Sequence, residues 1–578
     1  MNRITLKVAG ESGMGLLSVG KVVAKILKGM GFYVKTDREF PSLIKGGHSN
    51  MQIDFGPKPI RSLSRSADLV IALDREGLVD YLGTIREGGI LVHGFERHHL
   101  IKDLAETAKK RKIQLLYLPA RTIAKSFGGN DLMVSMVLLG LMWRVLGLNL
   151  SPLEDAVREQ FKDKPKLLEI DLKCLRAGHE AKGLNVPEYK ITPPKKKPDG
   201  ILIDGNMGVA LGAIRGGVRA YYMYPMSPAS SILTYLANFS HETKMLVKQA
   251  EDEITAAQMA LGSMFMGTRA LVATSGGGYD LMTETVSLAG MIECPLVIVI
   301  AQRPGPATGM PTWTAQGDLK MAIHSAHGEF PKIVLAISDP KSAYVLTQHA
   351  MNLSEKFQTP VILLTEKTIA ESQMMVSLDD VEIPIERGLV TSTNELAELR
   401  ATDRYKITES GVSKRWAPGT SPAGYYGNSD EHKEDGVITE EADESAAMVA
   451  KRNRKMKTIK DSLPDPEVFG VKKGAAISLV GWGSPKNAVI DALEVLKEKG
   501  IKANYLHFEY LWPLKDEAFQ KFYKENKNVH ILENNFQGQL ADILEGRTGL
   551  KFKGRLLKYN GRPFFVEDIL DYVEKNVE

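Results

Sequence analysis

Six consecutive residues, Pro295-Leu296-Val297-Ile298-Val299-Ile300, carry no polar side chain and show no alternation. A strand that is apolar on both faces must be covered on both. That is the situation of a central strand in a parallel sheet with helices above and below. The run therefore predicts an α/β fold, in which ligands bind beyond the carboxyl ends of the strands. Just beyond it lies Arg303-Pro304-Gly305-Pro306-Ala307-Thr308-Gly309-Met310-Pro311-Thr312, a glycine- and proline-rich loop that delivers a guanidinium to that end. Two other islands of dense chemistry precede it. Residues 219–224 predict a strand running into Tyr224-Pro225-Met226-Ser227-Pro228-Ala229-Ser230, where prolines fix φ on either side of the Ser227 hydroxyl. Glu251-Asp252-Glu253 opens an alanine-rich helix whose first turn favours an anion. Residues 271–274 predict another strand, ending in Ser275-Gly276-Gly277-Gly278, a loop open enough for a ligand or a partner backbone. A hydroxyl, a carboxylate and a guanidinium are thus expected at one pocket.

The remaining chain divides around this region. Residues 1–190 alternate strand and helix, with strands expected at 4–9, 68–74, 89–92 and 113–118. Gly10-Glu11-Ser12-Gly13-Met14-Gly15 forms a turn into a helix, but its order, G-x-x-G-x-G, is not that of the dinucleotide fingerprint. The loop Glu39-Phe40-Pro41-Ser42-Leu43-Ile44-Lys45-Gly46-Gly47-His48 sets a cation next to two glycines, either over a cleft or simply in solvent. Thr192-Pro193-Pro194-Lys195-Lys196-Lys197-Pro198-Asp199-Gly200 lies in a linker, 191–200. A second α/β domain spans 201–385, and a polar, turn-rich connection at 386–470 is expected to pack over the surface. A final α/β unit occupies 471–578; Gly481-Trp482-Gly483-Ser484 after its first strand reads as a structural turn or a coenzyme A contact.

Composition narrows the function. A net charge of +4 over 578 residues creates no field suited to nucleic acid. Cys174 and Cys294 are too few for this chain to hold a four-cysteine iron–sulfur cluster, and no disulfide framework is available. The most apolar stretch, 133–148, is interrupted by Arg144 and falls short of the ~20 residues a membrane helix needs, so a buried helix is expected there. These features place the protein in the cytoplasm, without membrane association.

Taken in order, the islands acquire a shared meaning. Tyr224–Pro228, Gln249–Glu253, Thr274–Gly278, Arg303–Thr312 and His327-Gly328-Glu329-Phe330-Pro331 resemble the motifs of the alpha subunit of 2-oxoacid:ferredoxin oxidoreductases. Residues 1–190 look like that family's gamma domain, 201–385 like its thiamine diphosphate pyrimidine-binding domain, and 471–578, with Glu533-Asn534-Asn535-Phe536-Gln537-Gly538-Gln539-Leu540, like its transketolase-C-like domain. The resemblance implies several doubly wound or mostly parallel sheets. It also implies oxidative conversion of a 2-oxoacid, with 2-oxoglutarate ahead of pyruvate or a branched 2-oxoacid, to its acyl-CoA and CO2, reversibly, with electrons passed to ferredoxin.

By the same resemblance Glu253, or failing it Glu251, activates the cofactor's aminopyrimidine, alongside cofactor contacts at Tyr224, Pro225, Ser275 and Gly276. Arg303, Thr312 and Ser227 hold the substrate, and Lys45 reaches into the same pocket. The chain departs from the family at Asn206-Met207-Gly208, where Asn-Glu-Ala is usual, and at Trp313 and Ala315, where charged residues are usual. No Gly-Asp-Gly followed by asparagine is present to hold Mg2+. A beta subunit is therefore expected to bring Mg2+, the diphosphate ligands and a 4Fe-4S cluster, in a dimer of heterodimers that uses coenzyme A and ferredoxin. A non-redox thiamine enzyme, a nicotinamide enzyme built on the Gly10 turn, and a non-catalytic binding subunit stay open.

Overall fold

The computed structural model describes residues 3–577 except 12–15, 42–47, 96–101, 188 and 190. The chain forms two compact units. The first comprises residues up to 202 together with 372–376 and 565–567. Its eight-stranded sheet runs in the order Gln114–Tyr117, Ile85–His93, Ala67–Ala72, Ile4–Glu11, His48–Gly56, Tyr33–Glu39, Met374–Val376, Ile201–Ile203. The first four strands are parallel, and these are the ones the apolar runs predict. His48–Gly56 and Tyr33–Glu39 add antiparallel pairs that the sequence conceals, because their buried positions include Asn50, Gln52, Asp54, Lys35 and Asp37. The polar groups are satisfied internally, as burial requires: Arg3, Thr5 and Gln52 all donate to Asp54. Gly10 and Glu11, expected in a glycine turn, belong to the first strand, paired with Ser49 and His48; the rest of that expected turn, 12–15, lies outside the described residues.

The apolar stretch is the buried helix Val134–Val145, packed on Pro165–His179. The two helices approach at reciprocal glycines: a Cβ at Gly140 would lie 2.0 Å from the Leu175 carbonyl oxygen, and one at Gly178 1.9 Å from that of Val137. Backbone cannot move aside as a side chain can. Gly140→Ala is therefore expected to destabilise the first unit by about 1–3 kcal/mol, read as a lower unfolding midpoint; an unchanged midpoint would show that the helices can separate freely. Among the described residues no helix is long and apolar enough to cross a membrane.

The second unit holds two sheets. The larger has the order Tyr510–Trp512, Ile333–Ala336, Pro360–Glu366, Leu296–Gln302, Ala270–Thr274, Ala220–Met223, Leu246–Gln249, all parallel except the first. Leu296–Gln302 is buried throughout: Leu296, Ile298 and Ile300 enter one hydrophobic core, Val297, Val299 and Ala301 the other. The smaller sheet runs Glu467–Gly470, Ala503–Phe508, Ile477–Trp482, Val529–Glu533, Gly554–Leu557, parallel except for its first strand.

Residues 386–470 do more than pass over the surface. Lys451 and Lys455, on the helix Ala442–Ser462, are buried and each approaches a Glu293 carboxylate oxygen at 2.5 Å. Arg387 and Arg415 converge with Arg269 on the buried carboxylate of Glu355. One carboxylate cannot balance three guanidiniums. The arginines also donate to the carbonyls of Gly216, Met264 and Gly267 at the ends of two helices, where the dipole is negative.

Candidate active site

Four neighbouring parallel strands, Leu246–Gln249, Ala220–Met223, Ala270–Thr274 and Leu296–Gln302, end on the same edge of the larger sheet. From that edge leave Glu251-Asp252-Glu253, Tyr224–Ser230, Ser275–Gly278 and Arg303–Thr312, so the topology brings together the islands separated in sequence.

Glu253 is the first residue of the helix Glu253–Phe265 and is 6% exposed. Capping falls to its neighbour: the Asp252 side chain accepts from the Thr255 amide at 2.7 Å, leaving the Glu253 carboxylate unspent. Glu251 is exposed and lies outside the helix. Against Glu253 sits Gly278, where a Cβ would fall 2.9 Å from Glu253 Oε1 and 2.0 Å from Thr274 Oγ1. Gly276–Gly278, expected as an open loop, instead form the first turn of the helix Gly276–Met291, and only glycine at 278 lets that turn pack on this carboxylate. Ser275 and Gly276 begin the helix Gly276–Met291, and Ser275 provides no side-chain cap.

Arg303 is half-buried, and its Nη1 donates to the Ser227 carbonyl at 2.9 Å across 76 residues. Burial lowers its pKa and Asp318 opposes that shift; a guanidinium stays charged regardless. Ser227 and Tyr224 are exposed and Pro225 half-buried. Their turn is pinned from below by Asn206, fully buried, whose Nδ2 donates to the Pro228 carbonyl at 2.8 Å and to Ser231 Oγ at 2.7 Å. Asn206 is a residue that sequence reasoning noticed only as part of a lost family pattern. Gly309, with φ +52°, permits the return of the Arg303 loop: the Met310 amide donates to the Pro304 carbonyl.

Thr312 is buried beyond that turn. The residues after it are sewn both to the strand Pro360–Glu366 of the larger sheet and to strand ends of the smaller one. Thr314 Oγ1 donates to Glu366, and Gln316 exchanges backbone and side-chain hydrogen bonds with Asn534, Asn535 and the Trp482 carbonyl. Glu366 also accepts from the Ser484 amide; burial pushes its carboxyl up to about 7 against these donors. Trp482 Nε1 donates to Glu533. The Gly481–Ser484 turn thus spends its polar groups within the chain, as a structural turn does.

Several side-chain oxygens here are sealed from solvent without a hydrogen-bond partner: Asn206 Oδ1, Thr274 Oγ1, Ser275 Oγ, Thr312 Oγ1 and Asp318 Oδ2. Buried polar groups are ordinarily paired, and two of these orphans, Thr274 and Ser275, stand at the end of the strand Ala270–Thr274 beside Glu253, where they fit a ligand that carries both donors and acceptors. An aminopyrimidine has both. Lys45 lies outside the described residues. Asp318 escaped sequence reasoning because nothing in Gln316-Gly317-Asp318 signals burial.

Comparison with known proteins bears on this arrangement. Residues 5–181 match the family described as pyruvate ferredoxin/flavodoxin oxidoreductase, and residues 211–451 its thiamine diphosphate-binding family. The chain is 32% identical to the 2-oxoacid:ferredoxin oxidoreductase 2 alpha subunit of Aeropyrum pernix, covering 100% of this chain and 98% of that protein. It is 28% identical to the 2-oxoglutarate oxidoreductase subunit KorA of Mycobacterium tuberculosis, over 98% and 91%. A solved 2-oxoglutarate:ferredoxin oxidoreductase from Magnetococcus marinus, with 2-oxoglutarate, coenzyme A and succinyl-CoA bound, superposes with a TM-score of 0.92 at 29% identity, covering 100% of both chains. Full-length similarity of this kind, over the same motifs that meet at the sheet edge, means that the chain belongs to the 2-oxoacid:ferredoxin oxidoreductase alpha subunits.

Proposed function

We propose that this chain forms the aminopyrimidine and substrate-carboxylate half of a thiamine diphosphate site, in a complex that converts a 2-oxoacid, coenzyme A and two oxidised ferredoxins to acyl-CoA, CO2 and two reduced ferredoxins. The observation that carries this reading is the buried Glu253 carboxylate, freed from capping by Asp252 and closed over by Gly278. Thiamine diphosphate would supply the carbon nucleophile. Glu253 would hold the proton at the aminopyrimidine ring nitrogen, with Ser275 and Gly276 at its edge and Tyr224 and Pro225 beside it. Arg303 would grip the substrate carboxylate, with Ser227 and Thr312 completing its hydrogen bonds.

A partner is needed for the rest. Both cysteines are buried, and burial pushes the thiols up to about 11 at Cys174 and about 12 at Cys294, which disfavours the thiolates a cluster requires. A beta subunit would bring Mg2+, the diphosphate ligands and the 4Fe-4S cluster. Ile254 and Met259 on the helix Glu253–Phe265, Met266 just after it, Leu281 on the helix Gly276–Met291 and Leu246 on the edge strand are exposed apolar side chains that such a partner would cover. Two free thiols also suit the reducing cytoplasm.

2-Oxoglutarate is the favoured substrate: it is the one bound in the Magnetococcus structure, and Lys45 would meet its distal carboxylate. The test is competition between 2-oxoglutarate and pyruvate on the assembled complex. A preference for 2-oxoglutarate that Lys45→Ala erases supports the assignment; a preference that survives Lys45→Ala removes it. Arg303→Lys keeps the charge but loses the planar fork, so kcat/KM should fall about ten- to a hundredfold, mostly through KM; an unchanged KM would place the carboxylate elsewhere.

A further inference from the structure

Asp318 is a half-buried acid that the proposed chemistry leaves unused. Its Oδ2 is sealed and unpartnered. The carboxyl lies against Gly276, where a Cβ would come within 2.6 Å of Oδ2. Its amide donates to Gln302 Oε1 at 3.0 Å, and Gln302 is the last residue of the strand that leads into Arg303. The two preceding residues are tied to the smaller sheet: Asn535 donates to the Gln316 carbonyl and Gln539 to that of Gly317. Asp318 is therefore held in place, and among the described residues no donor reaches its Oδ2.

Burial pushes its pKa up to about 7; Asp280, on the helix Gly276–Met291, adds repulsion, and Arg303 opposes both. Lys320, two residues on, is engaged with Asp542 at 2.7 Å.

We propose that Asp318 is a positioning residue for the anion site, protonated when a 2-oxoacid carboxylate sits on Arg303 and ionised when the guanidinium is free, so that anion binding is coupled to proton uptake. This rests on Arg303 being the carboxylate site. An anion docked there cancels the positive charge that favours ionised Asp318, and the acid takes up one proton from solution. In the other direction, ionised Asp318 competes with the substrate for the field of the guanidinium, so binding weakens as pH rises through neutrality.

The test is the KM for 2-oxoglutarate of the assembled complex. In the parent it should rise about fivefold between about pH 6 and pH 8.5, the scale of one partly screened charge, with kcat unaffected by this group. Asp318→Asn should hold KM low and flat. Asp280→Asn, at an exposed position, should move the rise to lower pH, because less repulsion then holds the proton on Asp318. If Asp318→Asn fails to fold, the Asp280→Asn shift decides. A rise that persists in Asp318→Asn, or stays in place in Asp280→Asn, overturns the proposal while parent turnover upholds the functional reading. No 2-oxoacid turnover by the parent at any pH would remove both.

Discussion

Glu253→Gln lowers turnover of the assembled complex by about 10²–10⁴-fold while the fold survives, the range expected when one positioned acid–base group is lost. The amide is nearly isosteric, so it leaves the packing against Gly278 intact but cannot hold the proton. Glu251→Gln, by contrast, leaves turnover near that of the parent, since Glu251 is exposed and outside the helix. Steady-state kcat with saturating thiamine diphosphate, alongside circular dichroism to confirm folding, separates the two. Normal activity in Glu253→Gln would move the proton role to another group.

The second large effect concerns stability. Glu293 is buried between the Lys451 and Lys455 ammonium groups. Burial works against its ionisation, but the two lysines outweigh it and hold the carboxyl well below its usual range. Glu293→Gln strands two buried cations and should cost about 3–5 kcal/mol. Combined with Lys451→Met and Lys455→Met, the same change should be far milder, because neither ammonium is left unpaired. The sign of the pH dependence is set by the lowered pKa. The stability from Glu293 is fully present above the ordinary glutamate value of 4.5 and is lost as pH falls through the depressed one. Unfolding midpoints of the single and triple variants, at neutral and acidic pH, measure this. A single variant as stable as the parent would mean that the cluster is hydrated.

How much was legible in the sequence differs by element. Leu296–Gln302 and its neighbours announce themselves because a strand buried on both faces tolerates only apolar residues. The loops at their ends stand out through proline, glycine and isolated polar groups. His48–Gly56 and Tyr33–Glu39 do not, since their buried positions hold amides and carboxylates whose partners lie far along the chain, such as Arg3 on Asp54. Lys451 and Lys455 mislead outright: a run of charges predicts a solvated face, and only the position of Glu293, more than 150 residues earlier, makes it a buried one. Asp318 is hidden for the same reason, as the sealing of its Oδ2 involves Gly276, more than 40 residues away in sequence. Periodicity records what each segment needs from its surroundings, but not which distant group meets that need.

The most direct measurement is ferredoxin reduction by this chain, alone and assembled with its partner subunit, given 2-oxoglutarate, coenzyme A and thiamine diphosphate. The assembled complex should form one succinyl-CoA and one CO2 for every two ferredoxins reduced, and the isolated chain should form none. Full turnover by the isolated chain, or turnover that needs neither thiamine diphosphate nor coenzyme A, would contradict a shared thiamine site built on Glu253 and Arg303.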